Sequence, residues 1–404
     1  FVVDIGQVGS LISNGFVMSE SADTTLPTFF SATLSYDDNA GSGGRKLILT
    51  ASETLDLSPI SNVNVSKFAF TNDGITPLIY LHGATASGND GLSLTITITE
   101  AQRVAALLSS STPGGDNSSI QILIDAEGVQ DIGTNRNANV SRVSVSEVAD
   151  LRSPQLSSGQ QAMNYNTGVL TLTFSETIDV TPASKVYPGS LYFLEESSSA
   201  LNTGVQLTGE TITTVDSTTV QFQLTELQRS AAIKLSGTSG FSGPAILRVH
   251  GVDAFEDLSG NKFNNAQNLV VETLLEIADT SLPTILNCSL NYSTGTLVLT
   301  FSEIVNFDER VGAISPGKLH LDRVTLANVT GTHSAAKGSS YYHDRVHNFV
   351  SLGATGDSAK AIVVNGNDNE GSVVRLSLTE EQRVMAMALS GQPGGDGGAL
   401  VVDF

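Results

Sequence analysis

The chain has 404 residues, 40% apolar and 15% charged, with a formal net charge of −21. That is a globular composition, long enough for roughly two to four domains. The acidic balance argues against nucleic acid, and no run of about 18 apolar residues offers a membrane span. One cysteine, Cys288, excludes an internal disulfide framework.

The first stretch, FVVDIGQVGSLISNGFVMSESAD, opens on Phe without a basic leader, as a processed chain or a fragment does. It reads as the tail of a unit whose front is elsewhere. Two later stretches share its layout, a Gly/Asn-rich loop, an alternating segment and Glu-x-Ala-Asp, and they end at Asp150 and Asp279. Here the same ending is Glu20 and Asp23.

Three markers then recur in constant order, roughly every 125 residues, which is the signature of tandem repeats. LILTASE, LTLTFSE and LVLTFSE end on Glu53, Glu176 and Glu303. TEAQR, TELQR and TEEQR carry Arg103, Arg229 and Arg383. The Glu-x-Ala-Asp ending is the third. The boundaries are read as 1–23, a tail completing a neighbouring subunit, then 24–150, 151–279 and 280–404, the last incomplete.

In each unit, apolar and hydroxyl residues alternate in short runs bounded by Gly, Asn, Asp and Ser, which predicts an antiparallel β-sandwich. Thr-x-x-Gln before each repeated Arg fits a capping box, so each unit should carry one short helix. The Arg is expected to pack its stem on that helix and pair locally. Prolines 27, 154 and 283 open the units after linkers of a few residues, which predicts a stiff row. Cys288 takes the position of Ala32 and is expected to be buried. Unit three is longer between its markers, around 332–368. There His343 and His347 stand four apart, a metal spacing on a helix but here expected to lie in a surface loop.

No catalytic motif appears, and the recurring carboxylates suggest structure, so enzymatic activity is not expected. Glu53, Asp131, Asn135, Asp150, Glu176, Asp257, Asn261, Asp279 and Glu303 are candidate Ca²⁺ ligands near the unit joins. Calcium takes six to eight oxygens from flexible loops, although Asp, Asn and Gly also simply make turns. Sequons stand at Asn64, Asn117, Asn139, Asn287, Asn291 and Asn328. In an exported eukaryotic protein the loop sites would carry N-glycans.

Together, L-x-L-T-F-S-E, L-T-x-x-Q-R and D-x-x-G-N resemble the tandem Ig-like, cadherin-like repeats of large microbial adhesins and extracellular fibres. The resemblance implies an all-β fold of three Ig-like sandwiches and an elongated, non-catalytic protein outside the cell or on its surface. It also implies Ca²⁺ at the joins of some members. Unit one departs from it with TASE for TFSE, and unit three lacks D-x-x-G-N.

The chain ends in Ala399, Leu400, Val401, Val402, Asp403 and Phe404, matching the strand that precedes the closing segment in units one and two. Unit three therefore reads as lacking its closing strand, while Phe16, Val17, Met18, Ser19 and Glu20 form a spare one. A spare strand at one end and an open edge at the other predict head-to-tail assembly with copies of itself. Two other readings stay open: a fragment of a long repeat adhesin, and a glycan-binding surface module using the unit-three insertion.

Overall fold

The protein is described from a computed structural model covering residues 5–7, 15, 17–37, 44–138, 141–195, 204–239, 243–251, 253–263, 270–307, 319–328, 343–344, 349–353, 361–365, 370–395 and 398–403. Three hydrophobic clusters follow one another along it, around Leu49 and Phe70, around Leu172 and Phe193, and around Leu299 and Leu326.

Each cluster lies under a strand that carries the Ser-Glu pair and runs two or three residues past it: Lys46–Leu55, Val169–Ile178 and Thr296–Asn306. Leu47, Leu49, Leu170, Leu172, Leu297 and Leu299 point inward while the intervening residues stay accessible, the two-residue period of a half-buried strand. These strands pair antiparallel with an opening strand on one side, Phe29–Ser35, Ala162–Asn164 or Ile285–Asn291. On the other side lies Gly91–Thr97, Ser217–Gln223 or Glu370–Ser377. The recurring Ser fixes the start of each unit: Ser52, Ser175 and Ser302 hydroxyls accept from the amides of Thr28, Gln155 and Thr284.

A helix follows: α1 (Glu100–Leu108), α2 (Glu226–Leu235) and α3 (Glu380–Ala388). Each begins with a full capping box, Thr99–Gln102, Thr225–Gln228 and Thr379–Gln382, satisfying two amides that a helix start leaves unpaired. After the helix comes a strand of the second layer: Gln121–Ile124, Ile246–Val249 or Val401–Asp403.

The closing segment joins the two layers. In the first unit Ser141–Val148 runs antiparallel to Gln121–Ile124 and then parallel to Phe29–Ser35, merging both layers into one eight-stranded sheet. In the second the same path divides: Val270–Thr273 pairs with Ile246–Val249, and Leu275–Ile277 runs parallel to Ala162–Asn164. In the third, Val401–Asp403 is the outermost strand of its sheet and Ile285–Asn291 of the other.

Cys288 is exposed, contrary to the sequence expectation. The reason is in the pairing: Ala32 is covered because Val145 lies beside it, whereas Ile285–Asn291 has no strand on that side among the described residues. His343 lies in a two-residue strand with Asp344, not on a helix, while His333, His347 and most of 332–368 lie outside the described residues.

Candidate functional site at the unit joins and the open edge

The repeated arginine does more than pair locally. Arg103 is fully buried and sits where the first unit meets the second. Its Nε and Nη2 bond both oxygens of Glu100, at 2.7 Å each, and its Nη1 donates to Tyr36 O at 3.3 Å and Asp150 Oδ2 at 3.0 Å. Nη2 also lies 3.2 Å from Glu176 Oε2 in the next unit. Glu100 itself reaches across, accepting from the Thr177 amide (2.9 Å) and hydroxyl (2.7 Å).

Arg229 repeats this pattern at the next join. It is paired with Glu226, Tyr165 O and Asp279, and it lies 2.7 Å from Glu303 Oε2. Glu226 accepts from the Ile304 amide at 2.7 Å. The fixed guanidinium fork explains why Arg recurs, since a lysine cannot serve four acceptors in one plane.

The loops Asp131-Ile-Gly-Thr-Asn135 and Asp257-Leu-Ser-Gly-Asn261 supply a third carboxylate. Single carboxylate oxygens of Asp150, Glu176 and Asp257 lie within 4.8 Å of one another, and so do those of Asp23, Glu53 and Asp131. Asn135 and Asn261 brace these clusters. Their amide nitrogens donate to Asp131 (2.9 Å) and Asp257 (2.8 Å), and to the Asp23 and Asp150 carbonyls. Space is tight here, since a Cβ on Gly133 would lie 3.1 Å from Asn135 Nδ2 and 3.2 Å from Asp23 Oδ2.

Burial pushes the Asp257 carboxyl up to about 6, with the Asp150 charge adding to it against the hydrogen bonds from Asn261. Burial also raises Asp150, against the pull of Arg103. Glu53 is raised by burial and by the charges of Asp131 and Asp23, and its Oε1 accepts no hydrogen bond. Asp279 and Glu303 meet Arg229 beside Glu226, with no counterpart of Asp257 among the described residues.

The second feature is a slot in the third unit. A groove of about 380 Å³ runs between Ile285–Asn291 and Val401–Asp403, where Ser141–Val148 lies in the first unit, and a second of about 890 Å³ opens beside Ile285, Glu303, Phe307, Val324 and Val402. Cys288, Leu290, Tyr292, Leu400 and Val402 line the smaller one, and Val402 lines both. Val402 takes the position of Ile122, yet Ile122 is fully buried and Val402 only partly.

Elsewhere the closing segment also brings a glutamate. Tyr36 Oη donates to Glu147 at 2.7 Å, and Tyr165 Oη to Glu276 at 2.6 Å. Amides beyond the helix, Ser111 and Gly237, bond the same carboxylates. Tyr292, the third member, has only a 3.4 Å bond to the Ala386 carbonyl.

Of the spare segment, Val17, Met18, Ser19 and Glu20 are fully accessible coil, Val17 and Met18 being 102% and 78% exposed; Phe16 lies outside the described residues, as does Phe404. Ala399 and Leu400 precede the Val401–Asp403 strand as coil. Among the sequons, Asn64, Asn117, Asn287 and Asn291 are exposed and Asn328 half-buried; Asn139 is outside the described residues. Among the described residues no helix is long and apolar enough to cross a membrane.

No family model and no curated protein sequence matches the chain. Solved structures that resemble it are chains of Ig-like or related β-domains. One is the MG0-NIE-MG1 region of Escherichia coli alpha-2-macroglobulin, at TM-score 0.28 and 11% identity, covering 75% of this chain and 83% of that one. Titin A168–A169 scores 0.23 at 9% identity, covering 63% and 100%. A complex of Dpr2 with DIP-Theta Ig domains scores 0.19 at 8% identity, covering 88% and 90%. Scores this low carry no argument about function.

Proposed function

We propose that the chain is the protomer of an extracellular filament built from three tandem Ig-like sandwiches. Residues 15–20 of one copy close the third unit of the preceding copy. The observation that carries this reading is the slot between Ile285–Asn291 and Val401–Asp403, set against a spare copy of the segment that fills it elsewhere. Counting back from Asp23 as from Asp150, Met18 takes the place of Val145, Phe16 that of Val143 and Glu20 that of Glu147. The parallel register Ala32–Val145 then sets Met18 beside Cys288, and Leu34–Glu147 sets Glu20 beside Leu290, within reach of Tyr292. An incoming strand would satisfy open main-chain groups and cover Leu290 and Val402 in one step.

Cys288 reports on this directly. Its thiol should react readily with a maleimide in the free subunit and be protected at least tenfold in the assembled particle, as a buried thiol is. Equal labelling of subunit and particle would remove the reading.

The carboxylate trios support a second component, Ca²⁺ at the joins. At the first join Glu100, Asp150 and Glu176 share the Arg103 guanidinium and Asp257 lies beside them, which leaves excess negative charge, and an all-oxygen donor set suits a hard cation. The metal-free state should betray the trio through pH. The Asp257 carboxyl titrates higher when folded than when unfolded, so its contribution to stability is full below about pH 4 and is lost as pH rises through about 6. With chelator present, the protein should gain about 1 kcal/mol between pH 7.5 and 5.0. Millimolar Ca²⁺ should instead raise the melting temperature most at pH 7.5, because it displaces the proton. Melting temperatures indifferent to both would exclude the cation.

A further inference from the structure

We infer that the joint between copies reproduces the join between the first and second units, with Arg383 of one copy locking onto Asp23 and Glu53 of the next. This rests on the filament reading and adds to it a second, electrostatic contact beside the donated strand.

The argument starts from what each end already holds. Arg383 makes the inner half of the pattern: its Nε bonds Glu380 at 2.7 Å, its Nη2 pairs with the same carboxylate, and its Nη1 donates to Tyr292 O at 2.9 Å. In Arg103 and Arg229 the equivalent Nη1 also takes the Asp of Glu-x-Ala-Asp, and Nη2 takes the Glu of the following unit. Arg383 and Glu380 side chains are 26% and 70% exposed, against 1% and 18% for Arg103 and Glu100. Among the described residues the outer half has no counterpart at Arg383.

The other end of the chain presents that half. Asp23 and Glu53 lie together with no basic side chain paired to either among the described residues, and Glu53 Oε1 is shielded from water without a hydrogen-bond donor there. Thr54 follows Glu53 as Thr177 follows Glu176, exposed and offering the amide and hydroxyl that Glu100 takes from Thr177.

Spacing delivers these groups together. Glu20 stands before Asp23 as Glu147 stands before Asp150. With Glu20 at Tyr292, the chain therefore brings Asp23 to the guanidinium already bonded to the Tyr292 carbonyl.

A third element fits independently. Leu258, in the acidic loop of the second unit, packs against the first unit's core and lies so close to Gly114 that a Cβ there would sit 2.4 Å from its carbonyl. Ile132 holds the same loop position in the first unit and is 56% exposed. Gly394, with φ +99° against +91° for Gly114, waits beyond α3. Ile132 would seat there as Leu258 seats on Gly114.

A double-mutant cycle on the full chain tests this. Arg383→Met and Glu53→Gln should each raise the critical concentration for assembly about tenfold, and the double variant should be no worse than either single. Both sites lie at the ends of the free subunit, so its melting temperature serves as the folding control. Additive effects, or none, would overturn the latch. Met18→Asp separates the two ideas. If it blocks assembly while the cycle shows no coupling, strand donation stands and the latch falls. If Met18→Asp assembles normally, strand donation fails and the latch falls with it.

Discussion

Arg103→Met is expected to destabilise the first and second units together by about 3–5 kcal/mol, the scale for removing one partner from a buried ionic cluster. The reason is what would be left behind. Asp150, Glu176 and Asp257 are buried, and Glu100 nearly so, around a single guanidinium. Without it they lose the guanidinium that pairs with Glu100, Asp150 and Glu176, leaving Arg45 3.7 Å from Glu100. Lysine would not restore the contacts, having no planar fork to serve Glu100, the Tyr36 carbonyl, Asp150 and Glu176 together. The contacts cross the join, so calorimetry should show the units melting apart where the parent shows them coupled. A loss below about 1 kcal/mol would mean the cluster behaves as a solvated surface network. Arg103→Met with Glu176→Leu should recover part of the loss, since a buried ion pair replaced by packed apolar groups is often neutral.

The contrast between Arg103 and the residues around it shows what can be read from sequence. The capping boxes were legible because every group in them lies within four residues: Thr99, Gln102 and two amides. The strands that carry Ser-Glu were legible from alternation, though they run on past it to Leu55, Ile178 and Asn306. The Arg's acceptors were not, because Asp150 and Glu176 come to it through the closing segment and the next unit's second strand, and no local period encodes that meeting. The signal that could have found them was the constant co-occurrence of Arg, Asp and Glu in every unit, a repeat of partners as well as of motifs. Cys288 was misread for a related reason. Its position matches Ala32, but burial of that position depends on a strand from elsewhere. Asn135 and Asn261 have the spacing of ligands, yet their side-chain nitrogens are spent on aiming Asp131 and Asp257.

Deleting residues 1–20 should abolish assembly and leave the third unit less stable than the first two. The expected loss follows from the slot. Position 145 in the first unit is 8% exposed and position 143 is 5%, so Met18 and Phe16 would each bury most of a large side chain. At about 25 cal/mol per Å², two such side chains contribute on the order of 3–5 kcal/mol before main-chain pairing is counted. A peptide spanning residues 15–23 should therefore bind the deleted protein, raise the melting temperature of the third unit and protect Cys288 without regenerating filaments. Met18→Asp in that peptide should remove the effect, because it would place an unpaired carboxylate among Leu290 and Val402. A deleted protein that still assembles would show that the joint uses other surfaces. If neither the parent nor the deleted chain assembles, yet the peptide still binds, the slot takes the same strand from a longer tandem array, and the filament reading gives way to the repeat-adhesin one.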